Sequence, residues 1–197
     1  MNNIIKGRII TVFALLCYMS AFGIAGYQVS YKKGKIWNTE FTISQSLAFG
    51  NDPALVSLFT LGTMAYIYLL LLKGPKYLLY PRIISQVIIY IFLITIIWIT
   101  TFRDKGKHYI FALIIFLGTL LYHIMTYIAY KNLKVSPLVK NILLGACILN
   151  ILVFIGLGVT KGTPLSNYDE SKITFASLEN TVTVITGTVL TVIGFLI

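Results

Sequence analysis

The stretch IISQVIIYIFLITIIWI, Ile83–Ile99, decides how this chain is read. Nine of its residues are isoleucine and none is charged. Isoleucine is a mediocre helix former in water because its branched Cβ crowds the preceding turn. In lipid the balance changes. No water is present to take up backbone N–H and C=O groups, so the segment must pair them internally, and a helix does so. At 1.5 Å per residue, about 20 residues cross a hydrocarbon core about 30 Å thick. Extended to 83–101, the run meets that length.

Working outward, five further apolar stretches of similar length run roughly over 9–29, 54–72, 109–130, 141–160 and 179–197. Charges fall almost wholly between them. The expected fold is all-α: one integral membrane bundle of six transmembrane helices spanning residues 1–197 as a single domain. A hydrophobic fraction of 57%, a charged fraction of 11% and a mean hydropathy of +0.86 separate the chain from soluble domains. The punctuation agrees. Lys73-Gly74-Pro75-Lys76 stops the second helix, and Pro81-Arg82 opens the third. Pro53 suits the first turn of the second helix, with Asp52 as N-cap. Loops are expected over 27–52 and 161–178, with the sixth helix starting near Glu179. Lys6 and Arg8 precede the first apolar run much as in a signal peptide. At about 20 residues, however, it exceeds the usual 7–15-residue core of such a peptide and reads as a retained helix.

Six crossings put both termini on one side. That side carries Lys6, Arg8, Lys73, Lys76, Arg82, Lys131, Lys134 and Lys140, and the other carries an equal number of cations. The positive-inside count is therefore a tie. The acids are not: Glu40, Asp52, Asp104, Asp169, Glu170 and Glu179 all fall on the second side. The eight basic residues of the terminal face suit an anionic cytoplasmic leaflet, at about 1 kcal/mol each near its surface. Ordinary helix-end anchoring by snorkelling side chains accounts for them too. Both termini are expected in the cytoplasm. The net charge of +10 is dispersed over span ends with no long basic run, which argues against a nucleic-acid partner.

Side chains able to carry chemistry are few. His108 and His123 are 15 residues apart on one helix, about 22 Å, and cannot share a metal ion. No His/Cys/Asp/Glu cluster has ligand spacing, so neither a metal nor a cofactor is expected. Cys17 and Cys147 both fall within apolar spans, which leaves no loop disulfide. His108 and Glu179 share the face opposite the termini and are the candidate catalytic residues, as an acid/base pair facing a lipid headgroup. The structural alternative is that Glu179 complements a helix N-terminus while His108 lies in the interface. Gln86 and Asn150 read as interhelical hydrogen-bond partners. Two series read as close-packing stripes: Cys17, Ser20, Ala21, Gly23 and Gly26 on the first helix, and Glu179, Thr183, Gly187 and Thr191 on the sixth.

Several of these residues resemble the signature of the DRAM-like family, which groups damage-regulated autophagy modulators, GPI-anchor lipid-remodelling proteins and Sfk-type regulators. Ile43-Ser44, then Pro53, then Phe59 to Gly62 resemble its pattern entering the second helix. Phe102, His108, Ala112 and Phe116 resemble its Phe…His-x3-Ala-x3-Phe signature, and Ala176 with Glu179 its acidic residue at the mouth of the sixth. Gln45, Ala54 and Asn180 stand where that family commonly has Asp, Glu and an aromatic residue.

The resemblance implies a non-enzymatic multipass modulator of autophagy or membrane lipid organisation. Its partners would be membrane lipids, anionic at the cytoplasmic face, and a membrane protein. It would sit in an endomembrane (lysosome, Golgi or ER) or the plasma membrane. Two alternatives stand beside it. One is a lipid-remodelling enzyme acting at the non-cytoplasmic mouth through His108 and Glu179. The other is a small transporter or channel, for which the spans hold few polar residues.

Overall fold

A computed structural model describes residues 2–33, 53–98, 105–162 and 168–197. Six helices make up almost all of them: α1 (Asn3–Lys33), α2 (Pro53–Lys73), α3 (Leu79–Trp98), α4 (Lys105–Lys131), α5 (Pro137–Gly162) and α6 (Tyr168–Phe195). No strand occurs among the described residues. Each helix packs on its neighbours in the chain, α6 closes back on α1, and α2 meets α6 across the middle. The result is a ring-like helical membrane bundle. Among the described residues, five helices are long and apolar enough to cross a bilayer. The sixth, a helix of 28 residues, contributes the apolar stretch Asn180–Phe195 among the described residues. Outward faces are lipid-like, with Leu16, Met64, Leu152 and Val184 more than half exposed.

The helices overrun the apolar spans, since pairing the backbone remains favourable where the chain leaves the hydrocarbon. This corrects two sequence expectations. Helix α1 continues through Lys33, so the first connection starts later than residue 27. Helix α6 begins at Tyr168, so much of 161–178 is helical and Glu179 lies about three turns inside the helix. Position 179 is therefore not at a helix N-terminus. Two short turns behave as read. Gly74 N–H bonds Leu70 O at 2.7 Å to end α2, and Pro137 opens α5. Ser136 Oγ caps α5 by accepting the Val139 N–H at 3.3 Å.

Three contacts bring together the ends of α1, α2, α3, α4 and α6 nearest the termini. Lys73 Nζ donates to Gly194 O at 3.0 Å. The Arg8 guanidinium lies over the Phe195 ring at 5.9 Å, and that of Arg82 over Tyr130 at 5.6 Å. Small residues set the helix spacing. On α1 the buried seam is Gly7, Thr11, Ala14, Cys17, Ala21, Ala25 and Gln28, at intervals of three and four residues. Of the stripe expected there, Cys17, Ala21 and Gly26 are buried, whereas Ser20 and Gly23 are exposed. A Cβ on Gly194 would overlap Thr11 Oγ1, so α1 and α6 cross in intimate contact at this end. The stripe expected on α6 is not that seam. Thr191 is exposed, and the buried face is formed by Val182, Ile185, Val189, Leu190 and Ile193.

Candidate functional site

The two halves of the bundle are built differently. Around the termini it is filled with large side chains. Tyr66, Leu69, Leu70, Tyr122, Tyr130 and Leu143 are all buried there in one cluster. The hydroxyls of Tyr66 and Tyr122 hydrogen-bond at 2.5 Å across α2 and α4, and their rings meet edge to face at 5.7 Å. Beside them, Asn150 Nδ2 donates to His123 Nδ1 at 2.6 Å, joining α5 to α4. With Nδ1 as acceptor the neutral ring carries its proton on Nε2, which is buried and unpartnered. The expectation that Asn150 serves an interhelical hydrogen bond is met.

Arg82 is the largest departure in this half. Grouped by sequence with the headgroup-facing cations, it is wholly buried, at 0% exposure. Its Nη2 donates to Pro75 O at 2.8 Å and its Nε to Leu78 O at 3.2 Å, while Nη1 has no partner. The guanidinium thus holds the α2–α3 turn closed, a turn that includes Leu78 in the left-handed region at φ 56°. Lys73 is likewise half-buried and committed to Gly194 O. The basic face is therefore left to Lys6, Arg8, Lys76, Lys131, Lys134 and Lys140, which are exposed or half-exposed.

Away from the termini a smaller cluster (Ala21, Ala25, Leu55, Phe59 and Ile97) is buried, and beside it the bundle leaves space open. A cavity of about 400 Å³ lies among α1, α2, α3, α4 and α6. Phe22, Phe59, Leu93, Ile96, Ile115 and Phe116 form much of its apolar wall. Tyr18, Thr63 and Tyr66 line the side toward the filled half. Among the described residues, no charged side chain lines it. Its width follows from the α1–α6 crossing. At Gly194 the two helices touch, but a Cβ on Gly187 would meet only Leu15 Cδ2, at 3.9 Å. One turn further, Met19 and Val184 both line the cavity and are 69% and 67% exposed. The crossing therefore loosens toward the far face, and the cavity reaches the lateral surface between α1 and α6.

The polar groups of the wall are mostly committed. Tyr18 bonds Thr63 at 3.1 Å, Tyr90 bonds Thr60 at 2.7 Å, and Tyr66 bonds Tyr122. Thr119 and Thr186 donate to carbonyls of their own helices. Gln86 differs. It is 5% exposed, lines the cavity, and its amide makes no hydrogen bond among the described residues. The sequence expectation that it pairs with a neighbouring helix is not met among the described residues: Ser85 beside it reaches Gly118 O on α4, whereas Gln86 faces the cavity.

Among the family-signature residues, Ala112 and Phe116 line this cavity, and Pro53 is the first residue of α2. Ile43, Ser44 and Phe102 lie outside the described residues. So do the side chains of His108 and Glu179, whose backbones belong to the first turn of α4 and to α6. Sequence reasoning missed the cavity itself. Gln86, Ala112, Phe116, Thr183 and Gly187, each singled out in the sequence for another reason, all line it.

Fold and site together define a multipass helical membrane protein with a laterally open cavity in one half of its bundle, uncharged in its described lining. No family model, no curated protein and no solved structure matches the chain.

Proposed function

We propose that this protein is a non-enzymatic membrane protein that takes a lipid into its bundle, and so modulates membrane lipid organisation as the DRAM-like resemblance implies. The observation that carries this reading is the cavity between α1 and α6. Its volume of about 400 Å³ lies within the range of small-molecule sites. Its wall is apolar, and its opening faces the side where lipid tails lie. A water-filled path would need more polar lining than Tyr, Thr and one Gln provide. Two of the residues shared with the family signature, Ala112 and Phe116, form part of that wall.

The uncompensated cations Lys6, Arg8, Lys76, Lys131, Lys134 and Lys140 favour an anionic cytoplasmic leaflet at the terminal face. The cavity then belongs to the non-cytoplasmic half of an endomembrane or plasma-membrane protein, and autophagy is the process the resemblance suggests. Native mass spectrometry of the purified protein tests the reading. The wild type is expected to retain one lipid. Gly187→Leu, which fills the cavity, is expected to lose it, while Gly23→Leu on the exposed face of α1 keeps it. Equal retention by all three proteins, or none by the wild type, overturns the proposal.

A further inference from the structure

We infer that the lipid is a neutral one bearing a hydroxyl group, and that Gln86 holds this hydroxyl at the inner end of the cavity. The inference rests on the lipid-binding reading above and specifies its ligand. Gln86 is nine-tenths buried as a residue, its amide opens onto the cavity, and none of its side-chain polar atoms has a protein hydrogen bond among the described residues. A buried amide left unpaired is costly, and such groups are ordinarily satisfied by protein, water or ligand. The neighbouring hydroxyls of Thr63, Tyr66 and Tyr90 are engaged with Tyr18, Tyr122 and Thr60. They do not compete for the amide. An alcohol matches it in both directions, donating to Oε1 and accepting from Nε2.

Charge and length narrow the class further. Among the described residues no cation lines the wall, so a phosphate or carboxylate drawn in to the level of Gln86 would lie uncompensated in a low-dielectric site. Arg82, one turn below Gln86 on α3, directs Nε and Nη2 to the Leu78 and Pro75 carbonyls and does not line the cavity. From Gln86 to Ile96 the wall extends ten residues along α3, about 15 Å. That length accommodates a fused-ring body or a stretch of acyl chain behind the hydroxyl. A phospholipid reaching in from the far interface would bring only its chain terminus to Gln86 and leave the amide unpaired.

Purified full-length protein in nanodiscs would be labelled with a photoreactive sterol, a photoreactive diacylglycerol and a photoreactive fatty acid. Competition would use each alcohol against its hydroxyl-blocked ether. The alcohols are expected to out-compete their ethers on the wild type by about three- to tenfold, the range of one neutral hydrogen bond. Gln86→Leu is expected to abolish that preference while still binding the ether. Which of the two alcohols labels better identifies the lipid backbone. Without added lipid, Gln86→Leu is expected to unfold at a higher temperature than the wild type, because it removes an unpaired buried amide. An unchanged alcohol preference in Gln86→Leu, or stronger competition by the carboxylate, overturns this inference. If Gly187→Leu also labels normally, the lipid-binding reading itself falls, and the two failures are thereby distinguished.

Discussion

Two glycines seven residues apart on α6 provide a controlled test of how the bundle is held. Gly187→Ala and Gly194→Ala are the same chemical change in the same helix, so their helix-propensity gains cancel in comparison. Their surroundings differ. At Gly187 the new methyl meets only Leu15 Cδ2, at ordinary van der Waals distance, 3.9 Å. At Gly194 it overlaps Thr11 Oγ1 and lies 2.6 Å from Thr11 Cβ, closer than side chains approach. Thr11 cannot simply rotate away, since it is fully buried and its hydroxyl donates to Gly7 O at 2.8 Å. Either that bond breaks or α6 shifts on α1. Overpacking of this kind costs about 1–3 kcal/mol, against a propensity gain of about 0.5–1 kcal/mol. Gly187→Ala is therefore expected to be neutral or stabilising, and Gly194→Ala less stable than it by about 1–3 kcal/mol. Reversible unfolding in mixed micelles measures both. Adding Thr11→Gly to Gly194→Ala should recover most of the loss, a non-additivity expected only of residues in contact. Equal stability of the two alanine variants would refute the close α1–α6 crossing, and with it the account of why the cavity opens where the crossing loosens.

Two further substitutions probe the filled half. Arg82→Ala strands the Pro75 carbonyl, takes the side-chain donor from Leu78 O (which keeps the backbone N–H of residue 82) and removes the contact with Tyr130, so it should cost about 2–4 kcal/mol by the same unfolding measurement. Arg82→Lys should not restore that loss, because an ammonium lacks the planar fork that reaches both carbonyls; a full rescue would mean that charge alone matters. For His123 and Asn150, a double-mutant cycle to leucine should give a coupling of about 0.6 kcal/mol and no more than about 1.7, the range for hydrogen bonds between membrane helices. Zero coupling would remove this bond from the account of α4–α5 packing.

Much of the fold is legible because hydropathy and backbone satisfaction are local. Pro53, Gly74-Pro75 and Pro137 mark helix ends where the chain places them, since proline and glycine act through their own backbone. The start of α6 was misread for a related reason. Asp169, Glu170 and Lys172 look like loop residues, but a charged segment outside the hydrocarbon can continue a helix as readily as end it.

Site residues were less legible. Hydropathy treats Arg82 and Lys131 alike as span-end cations, yet one is enclosed by the α2–α3 turn and Tyr130 while the other is exposed. Gln86 and Asn150 are similarly alike in sequence. Asn150 has His123 opposite it, and Gln86 has a cavity. Nothing in the residues flanking either position encodes that difference.

Sequence alone determined that this is a helical membrane protein, where its main apolar runs lie, and that one end is basic without acids. Each of these follows from the length, polarity or charge of a contiguous segment. Tertiary structure decided which small residues form the helix seams, which cation is buried, and that one half is filled with tyrosine while the other holds a cavity. Those outcomes depend on what a neighbouring helix presents at the same depth. In lipid, where apolar faces gain little by choosing one another, that matching is set by close packing and by the few polar groups that find partners.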